Sequence, residues 1–255
     1  MAFFKDLDST YTSECVIVGA KGSKGTIEGK TFDSTKLYVL RNLEGEGRHG
    51  VTAVEFPFGL DANYQDLVRS HVELPARAKV TFRRVGKSLD RTREFEEIVK
   101  VEWLGSLQAE MVGHALVGKV FEAGRAKLAQ QQNTLFDVGG DSTVSSLVIG
   151  MHKGKGEYKG VNYDYCRLHR LIEIPEATGI GYVVGLVDFG ASGVYDDLIF
   201  SGLVLPAAVD LSISSGARSI DADVEVGKSI VYRGPLSLRA IRSPAPATVA
   251  DKPKS

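Results

Sequence analysis

Cysteine is scarce in this chain: Cys15 and Cys166 are the two present among 255 residues. That excludes a disulfide scaffold and points to a reducing compartment. The two lie 166 − 15 = 151 positions apart, so they form no C-x-x-C zinc site, and His49, His71, His114, His152 and His169 show no zinc-ligand spacing. Long apolar runs are also missing. None approaches the roughly 20 residues needed to span a membrane. Met1 to Asp6 lacks the basic and apolar regions of a secretory signal, and a cytoplasmic protein is expected. Charge of one sign is lacking too: 31 Lys and Arg against 32 Asp and Glu give a net charge of −1, which is evidence against a strong nucleic-acid binder. Catalytic motifs are absent as well. Gly22-Ser23-Lys24-Gly25 lacks P-loop spacing, and no G-x-S-x-G elbow occurs. Asp196-Asp197 loses one carboxylate in its counterpart Gln65-Asp66. No enzymatic activity, metal or cofactor is expected.

The chain contains itself twice. Residues 16–82 align without a gap on 147–213, an offset of 131, with 17 identities in 67 positions. Average composition would give about four. The identities include Gly19/Gly150, Gly25/Gly156, Gly29/Gly160, Asp33/Asp164, Leu37/Leu168, Gly50/Gly181, Phe58/Phe189, Asp66/Asp197 and Pro75/Pro206. Many are residues that set turns. A period this long suits a small domain, not a solenoid unit.

Hydrophobic pattern and turn residues predict the same elements in each copy. The first has strands over 14–20, 30–41 and 51–58, a helix over 61–70 capped by Asp61, and strands over 76–84 and 94–104. The second has strands near 146–151, 161–173 and 181–189, a helix near 192–200, and strands near 206–214 and 229–241. Lys21 to Gly25 reads as a basic hairpin tip by its glycine content. Three strands, a helix and two strands is the element order of the OB-fold, a five-stranded barrel that often binds oligonucleotides. The expected architecture is mainly β: two tandem OB-like barrels at 1–104 and 146–241. Residues 105–145 read as a linker with a helix over Lys119–Gln132, and 242–255 as a disordered Pro/Ala-rich tail.

As a strand, Gly160 to His169 places Tyr163, Tyr165, Arg167 and His169 on one face; the first copy places Phe32, Ser34, Lys36 and Tyr38 there. Aromatic rings interleaved with a cation suit base stacking and phosphate neutralisation. Lys21, Lys24, Lys153 and Lys155 on the Gly-rich segments, and Arg83, Arg84 and Arg91 near the next loop, supply further positive charge. Asp33 and Asp164 fall on the opposite face, where a structural hydrogen bond is their expected role. Phe58, Phe189, Tyr64 and Tyr195 read as packing residues.

Gly160-Val161-Asn162-Tyr163-Asp164-Tyr165-Cys166-Arg167-Leu168, then Gly181-Tyr182-Val183-Val184, Phe189-Gly190, Tyr195-Asp196-Asp197-Leu198 and Leu205-Pro206, resembles the helix-destabilising single-stranded DNA-binding proteins of filamentous phages, with relatives on plasmids and integrative elements. The resemblance covers most of 146–241 and, through the repeat, 14–104. It implies an OB-type barrel and cooperative, sequence-independent binding of single-stranded DNA without catalysis. It also implies a role in replication or recombination. That family works as a dimer of single domains, so this chain looks like a covalent pseudo-dimer. The expected partner is single-stranded DNA, or RNA by the same chemistry, with homo-oligomeric or cooperative assembly on the strand. The alternative is a structural or assembly module whose aromatic strand is a protein interface, since Tyr and Arg also anchor interfaces.

Overall fold

A computed structural model describes residues 10–85, 95–111, 116–123, 141–214 and 224–240. The protein is mainly β. Its strands are β1 (Thr10–Ile27), β2 (Lys30–Asn42), β3 (Arg48–Pro57), β4 (Ala76–Val85), β5 (Phe95–Met111), β6 (Val120–Glu122), β7 (Asp141–Tyr158), β8 (Val161–Glu173), β9 (Gly179–Asp188), β10 (Ala207–Ser214) and β11 (Glu225–Ala240). Helix α1 (Asp61–Arg69) follows β3, and α2 (Ser192–Phe200) follows β9.

The two copies share one pattern of pairing. In the first, β2 lies between β1 and β3, and β4 between β1 and β5, all antiparallel. In the second, β8 lies between β7 and β9, and β10 between β7 and β11. There a short parallel pairing, Glu225 with Val187 and Val226 with Asp188, joins β11 to β9. Each copy surrounds its own core. Ile17, Leu37, Val39, Phe56, Val80 and Phe82 centre the first; Met151, Leu168, Phe189, Leu211, Ile230 and Tyr232 centre the second. Strand β10 alternates strictly between buried and half-buried positions, as one core-facing side requires.

The strands expected to form two tandem barrels are joined in one continuous sheet of 11 strands. Among the described residues, strand pairing crosses between the copies at three places. Gly19, Ala20 and Lys21 of β1 pair with Gly181, Ile180 and Gly179 of β9. Gly50, His49 and Arg48 of β3 pair with Gly150, Met151 and His152 of β7. Adding 131 to the β1 and β3 partners converts one joint into the other, so the copies meet about a local twofold axis. The shared glycines explain the fit. A Cβ on Gly19 would lie 2.8 Å from the Tyr182 nitrogen, and one on Gly50 would lie 2.9 Å from the Gly150 Cα. Side chains at these positions would hold the strands apart. The third crossing pairs Leu107–Met111 with Leu236–Ala240. A small core of Val18, Tyr38 and Ile174, flanked by Leu40, Leu171 and Val183, fills the space between copies.

This crossing revises the expected linker. Strand β5 runs on to Met111 and β7 starts at Asp141, so both ends of 105–145 are sheet. Lys119 to Glu122 is not helical. Val120–Glu122 forms β6 against β11, with Phe121 buried between two exposed neighbours, a period of two that serves a strand. The rest of that predicted helix, from 124 on, and the tail from 242 on lie outside the described residues.

The basic hairpin tip at Lys21–Gly25 is also revised: it lies inside β1, and its equivalent lies inside β7. The turns come later, at Glu28-Gly29 (φ 50° and 76°) and Lys159-Gly160 (φ 51° and 78°). Positive φ at both central residues is the two-residue hairpin turn whose twist matches the flanking strands. Asp61 does not cap α1; Leu60 is the N-cap residue and makes no side-chain bond there. Instead Asp33 Oδ1 accepts from the Asp61 backbone N–H at 2.6 Å, and Asp164 Oδ1 accepts from Ser192 N–H at 2.7 Å. A strand carboxylate therefore satisfies a free N–H of each helix's first turn. This is the structural hydrogen bond expected of the repeated aspartates.

Candidate nucleic-acid interface

The β7–β8 hairpin places residue pairs opposite one another on a single face. Gly156 faces Tyr163, Gly154 faces Tyr165, His152 faces Arg167 and Gly150 faces His169. The glycines are seats for the rings. A Cβ on Gly156 would lie 2.7 Å from Tyr163 Oη, and one on Gly154 would lie 2.6 Å from Tyr165 Cζ. Without side chains opposite, both rings lie down across the ladder. Their centroids are 6.0 Å apart with planes at 33°. The Arg167 guanidinium sits 4.5 Å from the Tyr165 ring centre, and His152 meets that ring edge-on at 5.5 Å. Tyr163 is exposed and Tyr165 half-buried. The result is a row of two stacking surfaces and a cation along β8.

The first copy repeats the plan at one position. Phe32 lies opposite Gly25, and a Cβ there would meet its ring at 2.7 Å. Beyond it, Ser34 faces Ser23 and Lys36 faces Lys21. Lys36 forms an ion pair with Glu55 at 2.7 Å.

Two predicted stacking residues are not presented to solvent. Tyr38 is buried and donates its hydroxyl to Glu55 at 3.0 Å; burial raises its pKa. His169 is buried under the crossing to the first copy. Its Nε2 lies 2.7 Å from His152 Nδ1, and its Nδ1 lies 2.9 Å from Thr52 Oγ1 on β3. Burial, then the neighbouring His152 and Arg48, hold His169 down to about 4. Burial, then Arg167 and Arg48, lower His152 as well. Both rings are therefore neutral at pH 7. Side chains from the other copy occupy the space a base would need at Tyr38 and His169, which no strand pattern could reveal.

The predicted lysines divide by face. Lys21 lies on the aromatic side, 5.9 Å from the Tyr38 ring centre. Lys24 and Lys155 lie on the opposite side, each 3.7 Å from its copy's aspartate, Asp33 or Asp164. Lys153 is also there, donating to Asp196 at 2.7 Å and lying 5.1 Å from the Tyr195 ring centre; that hydrogen bond raises its pKa. Strand parity separates these lysines from the rings. Arg83 donates from Nε and Nη2 to one oxygen, Oε1, of Glu97, and Arg84 lies 3.4 Å from Glu96. Arg84 also approaches Tyr11 at the edge of the first core. Arg91 lies outside the described residues.

Sequence reasoning missed Arg48. It is exposed on β3 of the first copy, directly opposite His152 on β7. Opposed residues share a face, so Arg48, His152 and Arg167 form a row across three strands, with Asp188 of β9 opposite Arg167. The signal lies in tertiary pairing, not in the sequence around Arg48.

Packing takes the remaining candidates. Phe189 and Tyr195 are buried in the second core, and Phe58 and Tyr64 pack on the first. Burial pushes the Cys166 thiol up to about 12, a protonated core side chain. Among the described residues, no group of three His, Cys, Asp or Glu side chains is placed to hold a metal ion, and no helix is long and apolar enough to cross a membrane. Comparison with family models, curated proteins and solved structures finds no match.

Proposed function

We propose that the chain is a non-enzymatic single-stranded DNA-binding protein made of two OB-type barrels, acting in replication or recombination of a phage, plasmid or mobile element. The observation that carries this reading is the Tyr163–Tyr165–Arg167 row, laid flat on Gly156 and Gly154 and begun again by Phe32 on Gly25. Flat rings beside a guanidinium stack bases of any sequence. The barrel assignment draws support from the second copy, where β7, β8, β9, β11 and β10 pair in a closed cycle with α2 between β9 and β10. That is OB-fold order. The near-neutral charge fits local binding at this face better than a basic envelope.

The test is fluorescence anisotropy of labelled oligo-dT at two salt concentrations, with duplex DNA as competitor. Binding should weaken with salt and resist duplex. Tyr163→Ala with Tyr165→Ala removes two stacking surfaces, each contributing about 1–3 kcal/mol, and should weaken binding roughly 30-fold or more. Unchanged affinity in the folded double variant refutes the site. A second reading, a protein-assembly module, is favoured by Phe200, which is 87% exposed at the end of α2. It predicts no oligo-dT binding at low salt and self-association abolished by Phe200→Ser.

A further inference from the structure

We infer that the two aromatic faces are not equivalent: the β7–β8 face is the strand-binding site, Arg48 of the first copy completes it, and the β1–β2 face has lost most of its stacking surface. The inference rests on the reading that these faces take single-stranded nucleic acid.

Comparison at the repeat offset carries it. The second copy has Tyr163 and Tyr165; the first has Phe32 and Ser34. The seat is lost along with the ring, because Gly154 is replaced by Ser23. Loss of both members of a cross-strand pair leaves no space into which a base-stacking ring can fold. Glu55 bonds both Tyr38 and Lys36, whereas its counterpart Leu186 carries no charge. The second face has a carboxylate too, Asp188 opposite Arg167, so the difference between the faces lies in the rings and the crossing strand.

The crossing strand differs as well. The row across the second face reads Arg48, His152, Arg167, Asp188. The equivalent row reads Gly179, Lys21, Lys36, Pro57. The position that supplies Arg48 to the second face thus supplies a glycine to the first. Arg offers a planar fork that both stacks and pairs with phosphate, which Lys does not. One face therefore has two rings and two guanidiniums drawn from both copies. The other has one ring and two lysines. One chain takes one strand tightly, and the second copy alone lacks part of the site.

The experiment uses the full chain and short labelled oligo-dT, read by anisotropy and by stoichiometric titration, with far-UV circular dichroism confirming folding. Tyr165→Ala should weaken binding about 5-fold or more, the lower bound for one stacked base. Phe32→Ala should cost about 2-fold. Arg48→Ala, with Arg48→Gln as the second variant, should weaken binding and reduce the log–log salt slope by about 0.7, one phosphate contact on a single strand. Ser23→Gly with Ser34→Tyr rebuilds the missing seat and ring, and should raise the stoichiometry from one oligonucleotide per chain toward two. Equal losses for Phe32→Ala and Tyr165→Ala, an unchanged salt slope in both Arg48 variants, or two equal sites in the native chain would overturn the inference and leave the function standing. Absence of any oligo-dT binding by the native chain at low salt would overturn both.

Discussion

Gly150→Ala tests how the two copies are held together. A Cβ at Gly150 would lie 2.7 Å from Leu43 Cδ1 and overlap the Val51 carbonyl oxygen. The leucine end can rotate away, but the carbonyl belongs to the paired strand. An ordinary carbon–oxygen approach is about 3.3 Å, so β7 and β3 must separate by about 1 Å. Their pairing is only Arg48–His152, His49–Met151 and Gly50–Gly150, and a shift of that size disturbs all of it. Forcing an extra carbon into a filled space costs about 1–3 kcal/mol. At about 2–4 °C per kcal/mol for a chain of this size, Tm should fall by about 2–12 °C. Gly19→Ala, its twofold mate against Tyr182, should fall by a similar amount. Gly193→Ala is the control: nothing lies within 4 Å of the added carbon, and replacing a helical glycine of α2 should raise stability by about 0.5–1 kcal/mol. Thermal unfolding followed by circular dichroism at fixed pH and concentration reads all three. Gly19→Ala and Gly150→Ala both melting at or above the native temperature would refute the close-packed joint.

Two further outcomes follow from the geometry. His169 is held down to about 4 from an ordinary value of 6.5, so the folded state disfavours its proton. The stabilising preference for neutral His169 is full above pH 6.5 and is lost as pH falls from there toward 4. At about 1.4 kcal/mol per pH unit this amounts to about 3 kcal/mol. Urea unfolding between pH 7 and 4 should steepen in that window and flatten in His169→Gln; an identical pH profile in the variant contradicts the assignment. Asp164 accepts the Ser192 N–H, and that bond is the main cause of its lowered pKa. Asp164→Ala and Asp33→Ala should each lose about 1 kcal/mol, as for a lost helix cap, with unchanged oligo-dT affinity because both lie opposite the rings. A loss of binding at constant stability would move these carboxylates into the interface.

Local pattern and repetition were enough to mark most of the strand and helix positions. Strand Val161–Glu173 and helix Ser192–Phe200 occupy the expected ranges, because strand alternation, turn glycines and helix-start geometry act over a few residues. The internal repeat strengthened each assignment by supplying it twice. The face shared by Tyr163, Tyr165 and Arg167 was equally legible, since strand parity is local. The role of glycine was not. Gly25, Gly154 and Gly156 looked like turn residues, whereas cross-strand register makes them seats for rings. Gly19, Gly50, Gly150 and Gly181 stood out as identities, but only tertiary pairing reveals that they let two backbones touch. The same contacts bury Tyr38 and His169 and bring Arg48 alongside His152. Nearby sequence encodes which way a side chain points from its strand; what then covers it, or stands next to it, depends on a strand more than 100 residues away.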